Sequence, residues 1–399
     1  MNEIIRTECP NDRLILYVNT KITSDNAAQF KQEMDAAKLQ PHTFAEVDLS
    51  GAEYISSAGL RVILSLYRSE KEAGRGGDQF LISGANATVY ETMEITGFTD
   101  MMNVRRMKHR ISLENAELIG EGFNSKVYRV DQENIVKVFI HDESEEEIQR
   151  ELDLAKYAFV QGIPTAISFD IVDVEGKKGV MFEMMNAGSL RNYVRDDTSH
   201  LDEHLDKYAA LLKELHSTRD KERRLPDARL RMLRHLEENK GSFTAEEYAR
   251  ISALANELPE KDIILHGDCH LKNIMLHNGE PVLIDLDTLS RGDPVIELGN
   301  IYYAYHAFEA FWPGNNEAFF GIPQSLINQV MDGVMDRYFA GQSAEKRARN
   351  MDRVRFASDV RMMHFLMRNK PEENEVLRKV AGDLVEISAH ITSLALDMA

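Results

Sequence analysis

A chain of 399 residues exceeds what one ordinary core organises and suits two or three domains, and 43% apolar with 28% charged residues predicts globular folding rather than disorder. A formal net charge of −19, carried mostly after residue 108, repels phosphate backbones and anionic lipid. Direct nucleic-acid and membrane partners are therefore excluded, and a cationic or hydroxylated small compound is favoured. Cys9 and Cys269 are far apart with no CxxC spacing, which excludes a disulfide framework and a structural zinc site. The opening MNEIIRTECP lacks the basic start and apolar core of a signal peptide, and no run approaches the roughly eighteen apolar residues of a membrane span. The expected compartment is the reducing cytoplasm.

In residues 1–108, Arg13 to Val18 reads as a strand, Ser24 to Ala37 as an amphipathic helix with Ser24 as cap, and Thr43 to Leu49 as a buried strand. Ala58 to Lys71 has helical periodicity and ends at Gly74-Arg75-Gly76-Gly77; Gln79 to Ser83 is another strand and Asn86 to Ile95 another helix, stopped by Gly97. Such alternation predicts a sheet with helices packed on it. Before the second helix lies Asp48-Leu49-Ser50-Gly51-Ala52-Glu53-Tyr54-Ile55-Ser56-Ser57-Ala58-Gly59-Leu60. Two serines just ahead of a helix, with Gly59 in its first turn, would place a hydroxyl where N–H groups and the helix dipole favour an added phosphate. A plain helix cap by Ser56 or Ser57 explains the same residues.

This segment, with Val89 to Phe98, resembles STAS domains, in particular anti-sigma factor antagonists, over residues 3–108. The resemblance implies that Ser57, one residue before the Ala58-Gly59-Leu60 step, is the phosphorylated serine, and that an anti-sigma factor or another signalling protein is a partner. The Asp that often precedes that serine is replaced here by Ser56.

After the basic connector Arg105 to Arg110, Leu118 to Val130 reads as strand, turn, strand. Gly120 and Gly122 bracket Glu121 and would let backbone approach phosphate, while Ser125 stands where a third glycine is common; an ordinary hairpin fits equally. Lys137, flanked by apolar residues in Asn134 to Phe139, needs an anionic partner if buried. In the acidic helix Glu145 to Val160, Glu151 is the preferred partner and Glu147 the runner-up. Val180 to Leu190 reads as a strand breaking into a Gly-containing loop, a hinge in which backbone groups of Glu183 and Met185 would meet adenine. Beyond it, Leu201 to His216, Leu225 to Glu238, Ala245 to Leu258, Pro323 to Phe339 and Ala344 to Arg368 show helical spacing.

The segment His266-Gly267-Asp268-Cys269-His270-Leu271-Lys272-Asn273, followed by Pro281 to Asp287, carries the chemistry. Phosphoryl transfer needs one carboxylate to accept the proton of the attacking hydroxyl, and an amide and a second carboxylate to hold Mg²⁺ against the phosphates of ATP. Asp268, Asn273 and Asp285 have the types and spacing for these roles. Cys269 reads as a small apolar filler rather than a nucleophile, and His266 and His270 as orienting groups; Lys272 suits either a phosphate or solvent.

The H-G-D-x-H-x-x-N form, the Ile284-Asp285-Leu286-Asp287 strand end and Gly292-Asp293-Pro294 resemble the aminoglycoside phosphotransferase and choline kinase group over about residues 115–310. That resemblance implies Asp268 as catalytic base, Asn273 and Asp285 as Mg²⁺ ligands, Lys137 on the phosphates, and Asp287 near the metal or acceptor. Glu297 stands where many relatives have Asp, and the activation-segment marks of protein kinases are missing. The expected architecture is an α/β STAS module (1–108), then a two-lobed α+β protein-kinase-like fold (109–399) with an N-lobe over about 115–185 and a mostly helical C-terminal lobe over about 186–399. The expected activity is ATP- and Mg²⁺-dependent phosphorylation of a small-molecule hydroxyl, with a regulatory or partner-docking STAS module. The alternative is a signalling protein switched by phosphorylation of Ser57.

Overall fold

Alternating apolar residues in Arg13–Val18 and Phe44–Asp48 put one side of each strand into a core and leave the other half-exposed. The computed structural model describes residues 3–107, 109–122, 124–141, 143–185 and 187–398. Lys108 of the basic connector, Phe123 of the glycine hairpin, Asp142 of the acidic run and Asn186 of the hinge lie outside them. The chain divides into two units, Met1–Ile111 and Ser112–Ala399.

The first unit runs β1 (Ile5–Glu8), β2 (Arg13–Val18), α1 (Ala27–Ala37), β3 (Phe44–Asp48), α2 (Ser57–Glu72), β4 (Phe80–Ala85), α3 (Ala87–Ile95), α4 (Phe98–Met101) and β5 (Asn103–Arg106), closing with β6 (His109–Ile111). Strands β1 to β5 lie in chain order, with β1 antiparallel to β2 and the others parallel. Leu14, Leu16, Val47, Ile63, Phe30 and Phe80 fill its core. Helix α1 starts three residues later than Ser24 predicts. Its N-cap is Asn26, whose Oδ1 accepts the Thr23 N–H at 2.8 Å, so the preceding turn is closed by an asparagine.

The second unit begins with β7 (Glu117–Glu121), β8 (Ser125–Arg129), β9 (Asn134–Phe139), α5 (Glu145–Val160), β10 (Ser168–Val174) and β11 (Lys177–Glu183). Its strands are ordered β10-β11-β9-β8-β7, all antiparallel. Next come β12 (Ala187–Ser189), α6 (Leu190–Asp196), α7 (Leu201–Ser217), α8 (Ala228–Glu238) and α9 (Ala245–Asn256). Short strands β13 (Ile264–Leu265), β14 (Ile274–His277), β15 (Glu280–Leu283) and β16 (Ser290–Arg291) frame the Asp268 loop. Helix α10 (Pro294–Tyr302) runs into a π-helical turn at Tyr303–Ala307, followed by α11 (Phe308–Phe311), α12 (Asn315–Phe320), α13 (Gln324–Tyr338), α14 (Ala344–Asn369) and α15 (Asn374–His390). The fold is thus a STAS-like α/β unit followed by a kinase-like unit whose C-terminal region is helical. Met362, Met363 and Leu366 of α14 are core residues, as their helical spacing implies.

Candidate active site

Lys137 projects from β9 and meets carboxylates from two distant places. Its Nζ lies 2.7 Å from Glu151 Oε1 on α5 and 3.0 Å from Asp285 Oδ1 after β15. Burial alone would lower the lysine's pKa, but the adjoining Asp285 and Glu151 carboxylates outweigh it and raise the pKa above the ordinary range. Asp285 gives the reciprocal result: burial works to raise its pKa, and the Lys137 ammonium brings it below the usual carboxylate value. Glu147 is occupied elsewhere. It closes a capping box with Ser144, whose Oγ accepts the Glu147 N–H while the Glu147 carboxylate accepts the Ser144 N–H at 3.1 Å. That use leaves Glu151, one turn further into the helix, for Lys137.

The Asp268 loop is held by His266 and Glu297, both noted in the sequence, and by Asn300, Thr288, Tyr305 and Tyr208, which carry no local signal. Gly267 has φ +88, and a Cβ there would stand 2.7 Å from Thr288 O. Its N–H donates to Glu297 Oε2 at 2.9 Å and its carbonyl accepts from Asn300 Nδ2 at 2.9 Å, so two residues one turn apart on α10 grip the peptide units on either side of Gly267. Burial pushes up the pKa of Glu297. Asp293 caps α10 by accepting the Val295 N–H at 2.9 Å, and Pro294 follows at the first helical position. Only the cap and the proline were visible as a local signal.

His266 fixes the loop to the next strand. Ile284 O can only accept and the Asp268 N–H can only donate, so the ring donates from Nε2 at 3.0 Å and accepts at Nδ1 at 3.2 Å, which defines its neutral tautomer. Thr288 Oγ1 donates to His266 O at 2.8 Å. Tyr305, in the π-helical turn, accepts the Leu271 N–H at 2.9 Å, and Tyr208 donates to Cys269 O. Burial lifts the Cys269 thiol well above its ordinary pKa, which suits the filler role and not a nucleophile.

Asp268 is about one-third exposed and loosely held, with His270 Nε2 3.6 Å and Arg361 3.7 Å from its carboxylate. Asn273 Nδ2 donates to Asp268 O at 2.9 Å, which turns the amide oxygen the other way. The Ile284 N–H donates to Asn273 O at 3.0 Å, so Asn273, His266 and the residue before Asp285 share one hydrogen-bonded frame. Asp285 itself is in the left-handed region at φ +63. Asp287 lies in the same field: burial first, then Asp285, Glu151 and Asp268, raise its pKa to about 6. Lys272 rests over the Phe319 ring at 4.1 Å.

Gly120 and Gly122 sit on the β7–β8 hairpin, where the Gly122 N–H donates to Ser125 O at 2.8 Å. A Cβ at either would make only ordinary contacts, at 3.6 Å. Among the described residues, no close contact demands these glycines. In the hinge, the Glu183 N–H donates to Ile167 O at 3.0 Å and its carboxylate accepts the Ile167 N–H at 2.8 Å. Glu183 thereby clamps the strand end through groups of its own. Among the described residues, no hydrogen bond commits the Met185 N–H.

In the first unit, Ser56 is buried and its Oγ accepts the Gly59 N–H at 3.2 Å as the cap of α2, while Ser57 is exposed as the first residue of that helix. A Cβ at Gly59 would stand 2.5 Å from Ile22 Cγ2, so the glycine lets the helix pack closely on that loop.

A strand-rich lobe and a helical lobe joined by a hinge, with Lys137, Glu151 and Asp285 tied together near Asp268 and Asn273, define a phosphotransferase of the kinase-like class. The chain belongs to the phosphotransferase enzyme family, whose model matches residues 115–330, and residues 5–111 match the STAS domain. The anti-sigma-B factor antagonist of Listeria monocytogenes is 20% identical over 109 residues, 27% of this chain and 93% of that protein. Among solved structures, the ADP-bound aminoglycoside phosphotransferase APH(2'')-Ib is 14% identical over 75% of this chain and 98% of its own, with a TM-score of 0.48. A choline/ethanolamine kinase family protein from Mesorhizobium loti is 13% identical over 70% and 88%, with a TM-score of 0.42. A putative anti-sigma factor antagonist from Thermotoga maritima is 23% identical over 25% and 85%, with a TM-score of 0.23.

Proposed function

We propose that the second unit transfers the γ-phosphoryl group of ATP to a hydroxyl of a small molecule, and that the STAS unit regulates it or docks a partner. The observation that carries this reading is the double ion pair of Lys137 with Glu151 and Asp285. It connects the glycine-hairpin lobe to the strand end that shares a frame with Asn273 and the Asp268 loop. Glu151 positions the ammonium for the phosphates. Asp268 accepts the hydroxyl proton as the oxygen attacks phosphorus, and its carboxylate, about one-third exposed and with no hydrogen bond shorter than 3.4 Å among the described residues, is open to that proton. The Asp285 carboxylate and the Asn273 amide oxygen would hold Mg²⁺, which when bound would supply charge neutralisation for the transferring group.

No helix of the described residues is long and apolar enough to cross a membrane, and both cysteines are free. We propose a cytoplasmic location for the chain. The test of the reaction is ADP release by the full chain with ATP, Mg²⁺ and a panel of hydroxyl compounds. Turnover that survives Asp268→Ala would remove that residue as the base.

A second reading is favoured by the division of labour between the two serines. Ser56 is spent on the helix cap, whereas Ser57 is exposed at a helix N-terminus, where a phosphate would be electrostatically supported. In this reading Ser57 is phosphorylated, by this kinase unit or another, and switches binding to an anti-sigma factor or other signalling protein. Intact-mass measurement after incubation with ATP and Mg²⁺ checks self-modification. A phosphate that persists in both Ser57→Ala and Asp268→Ala would sink it.

A further inference from the structure

The acidic balance of the chain favours a cationic acceptor, but the surroundings of the base are locally basic. Arg231 and His235 from α8 and Arg361 from α14 line a cavity that also takes in Gly267 of the catalytic loop and Asn300 of α10. The Arg361 guanidinium lies 3.7 Å from Asp268 Oδ1 and over the Tyr303 ring at 5.1 Å. That long contact to Asp268 is the only ion pair either arginine makes among the described residues. Arg231 is half-buried, and its guanidinium makes no hydrogen bond among the described residues. Arg361, Arg150 and Arg234 act against its charge, and Asp287 supports it. His235 stacks on His364 at 3.7 Å, and His364 Nδ1 faces Glu238 Oε2 at 2.9 Å.

Holding a half-buried guanidinium beside other cations is unfavourable unless an anion answers it. The catalytic carboxylates do not answer it, because the one within reach of Arg361 is the base itself and must stay open to a proton. Burial, then Arg361, also depress the Arg231 pKa, which is the sign of an uncompensated site. A guanidinium fork matches a carboxylate or phosphate in two parallel hydrogen bonds and repels an ammonium.

We propose that Arg231 and Arg361 bind the acceptor, and that the acceptor is a small hydroxyl compound bearing a carboxylate or phosphate group. This inference rests on the phosphotransferase reading above. The hydroxyl faces Asp268, which takes its proton as the new P–O bond forms and the bond to the β-phosphate oxygen breaks, releasing ADP. The anionic group occupies the arginine pocket alongside.

The experiment uses matched compounds on one scaffold with neutral, ammonium, carboxylate and phosphate substituents, offered to the full chain with ATP and Mg²⁺. ADP release is followed, and binding to the ADP-loaded protein is measured in parallel by calorimetry. The anionic members should bind and be turned over with a KM at least about tenfold below the neutral ones, and the carboxylate and phosphate arms identify which anion is preferred. Arg231→Gln should raise that KM roughly 10- to 100-fold, the effect of losing a charged hydrogen bond. Arg231→Lys should recover part of it, and Arg231→Glu should turn the preference toward the ammonium compound. Thermal melts of all three variants establish that they fold. Failure of the anionic compounds to bind at millimolar concentration, or a preference of the wild type for neutral or ammonium members, overturns the inference while leaving phosphotransfer intact. Failure to bind ADP at all sinks the phosphotransferase reading instead.

Discussion

The two sides of the kinase-like cleft differ in how far apart in sequence their parts lie. On the nucleotide side, Gly120, Gly122, Lys137 and Glu151 fall within one run of strands and a helix. On the acceptor side, Arg231 comes from α8, the Gly267 clamp from α10, and Arg361 from α14. A site built from neighbours carries its signature in spacing, whereas one assembled by helix packing shows only ordinary amphipathic helices. Removing the base is the strongest way to probe where the two sides meet. Asp268→Ala should lower kcat by roughly 10²–10⁴-fold with ADP affinity retained, measured by turnover and calorimetry on one preparation. Loss of nucleotide binding as well would mean that the two sides are not separable.

The next largest effect belongs to the acceptor-side clamp. Gly267→Ala forces a side chain into φ +88 with a 2.7 Å contact to Thr288 O, so about 1–3 kcal/mol of stability should go, along with most activity. Asn300→Ala removes only one end of the clamp, and should slow turnover less while the melting temperature falls modestly. If Gly267→Ala proved as active as wild type, the loop would not need the conformation that α10 imposes.

The difference between the two sides also governs how much of the molecule could be read beforehand. Strand periodicity located Arg13–Val18 to the residue, and the spacing from Asp268 to Asn273 and Asp285 singled out the catalytic segment, because those signals are local. Glu297 was marked only by the family resemblance, and the Glu297–Gly267–Asn300 grip was not legible, since its partners lie 30 and 33 residues from Gly267. Net charge is silent for a related reason. A whole-chain value of −19 says nothing about Arg231 and Arg361, which tertiary packing brings to one cavity beside the Asp268 loop. The role of Gly59 was equally hidden, because its close neighbour Ile22 lies in another loop.

A pH experiment tests the packing of the helix that delivers Arg361. Burial, and then the charge of Asp383, raise the Asp359 pKa to about 8. An unfolded aspartate titrates near 4. The folded state therefore holds the proton over the interval from about 4 to about 8, and stability falls as pH rises through that window. Asp359→Asn should flatten this decline, melting several degrees above wild type at pH 8.5 and close to it at pH 4. Equal offsets at both pH values would mean that the carboxylate is not held neutral.

The smallest effects divide the two glutamates of α5, and they sharpen the nucleotide side most directly. Glu151→Gln removes the carboxylate that shares Lys137 with Asp285, so ATP KM should rise roughly tenfold through loss of one charged hydrogen bond. Glu147→Gln sits one turn away on the same helix but acts only in the capping box with Ser144. Glutamine can still close that box, so stability should fall by no more than about 0.5 kcal/mol and ATP KM should stay at the wild-type value. The pair is informative because both changes delete one negative charge near the start of the same helix, and a general electrostatic effect on nucleotide binding would move both constants alike. Parallel KM shifts would assign the effect to the helix as a whole, whereas a shift confined to Glu151→Gln assigns it to the contact with Lys137.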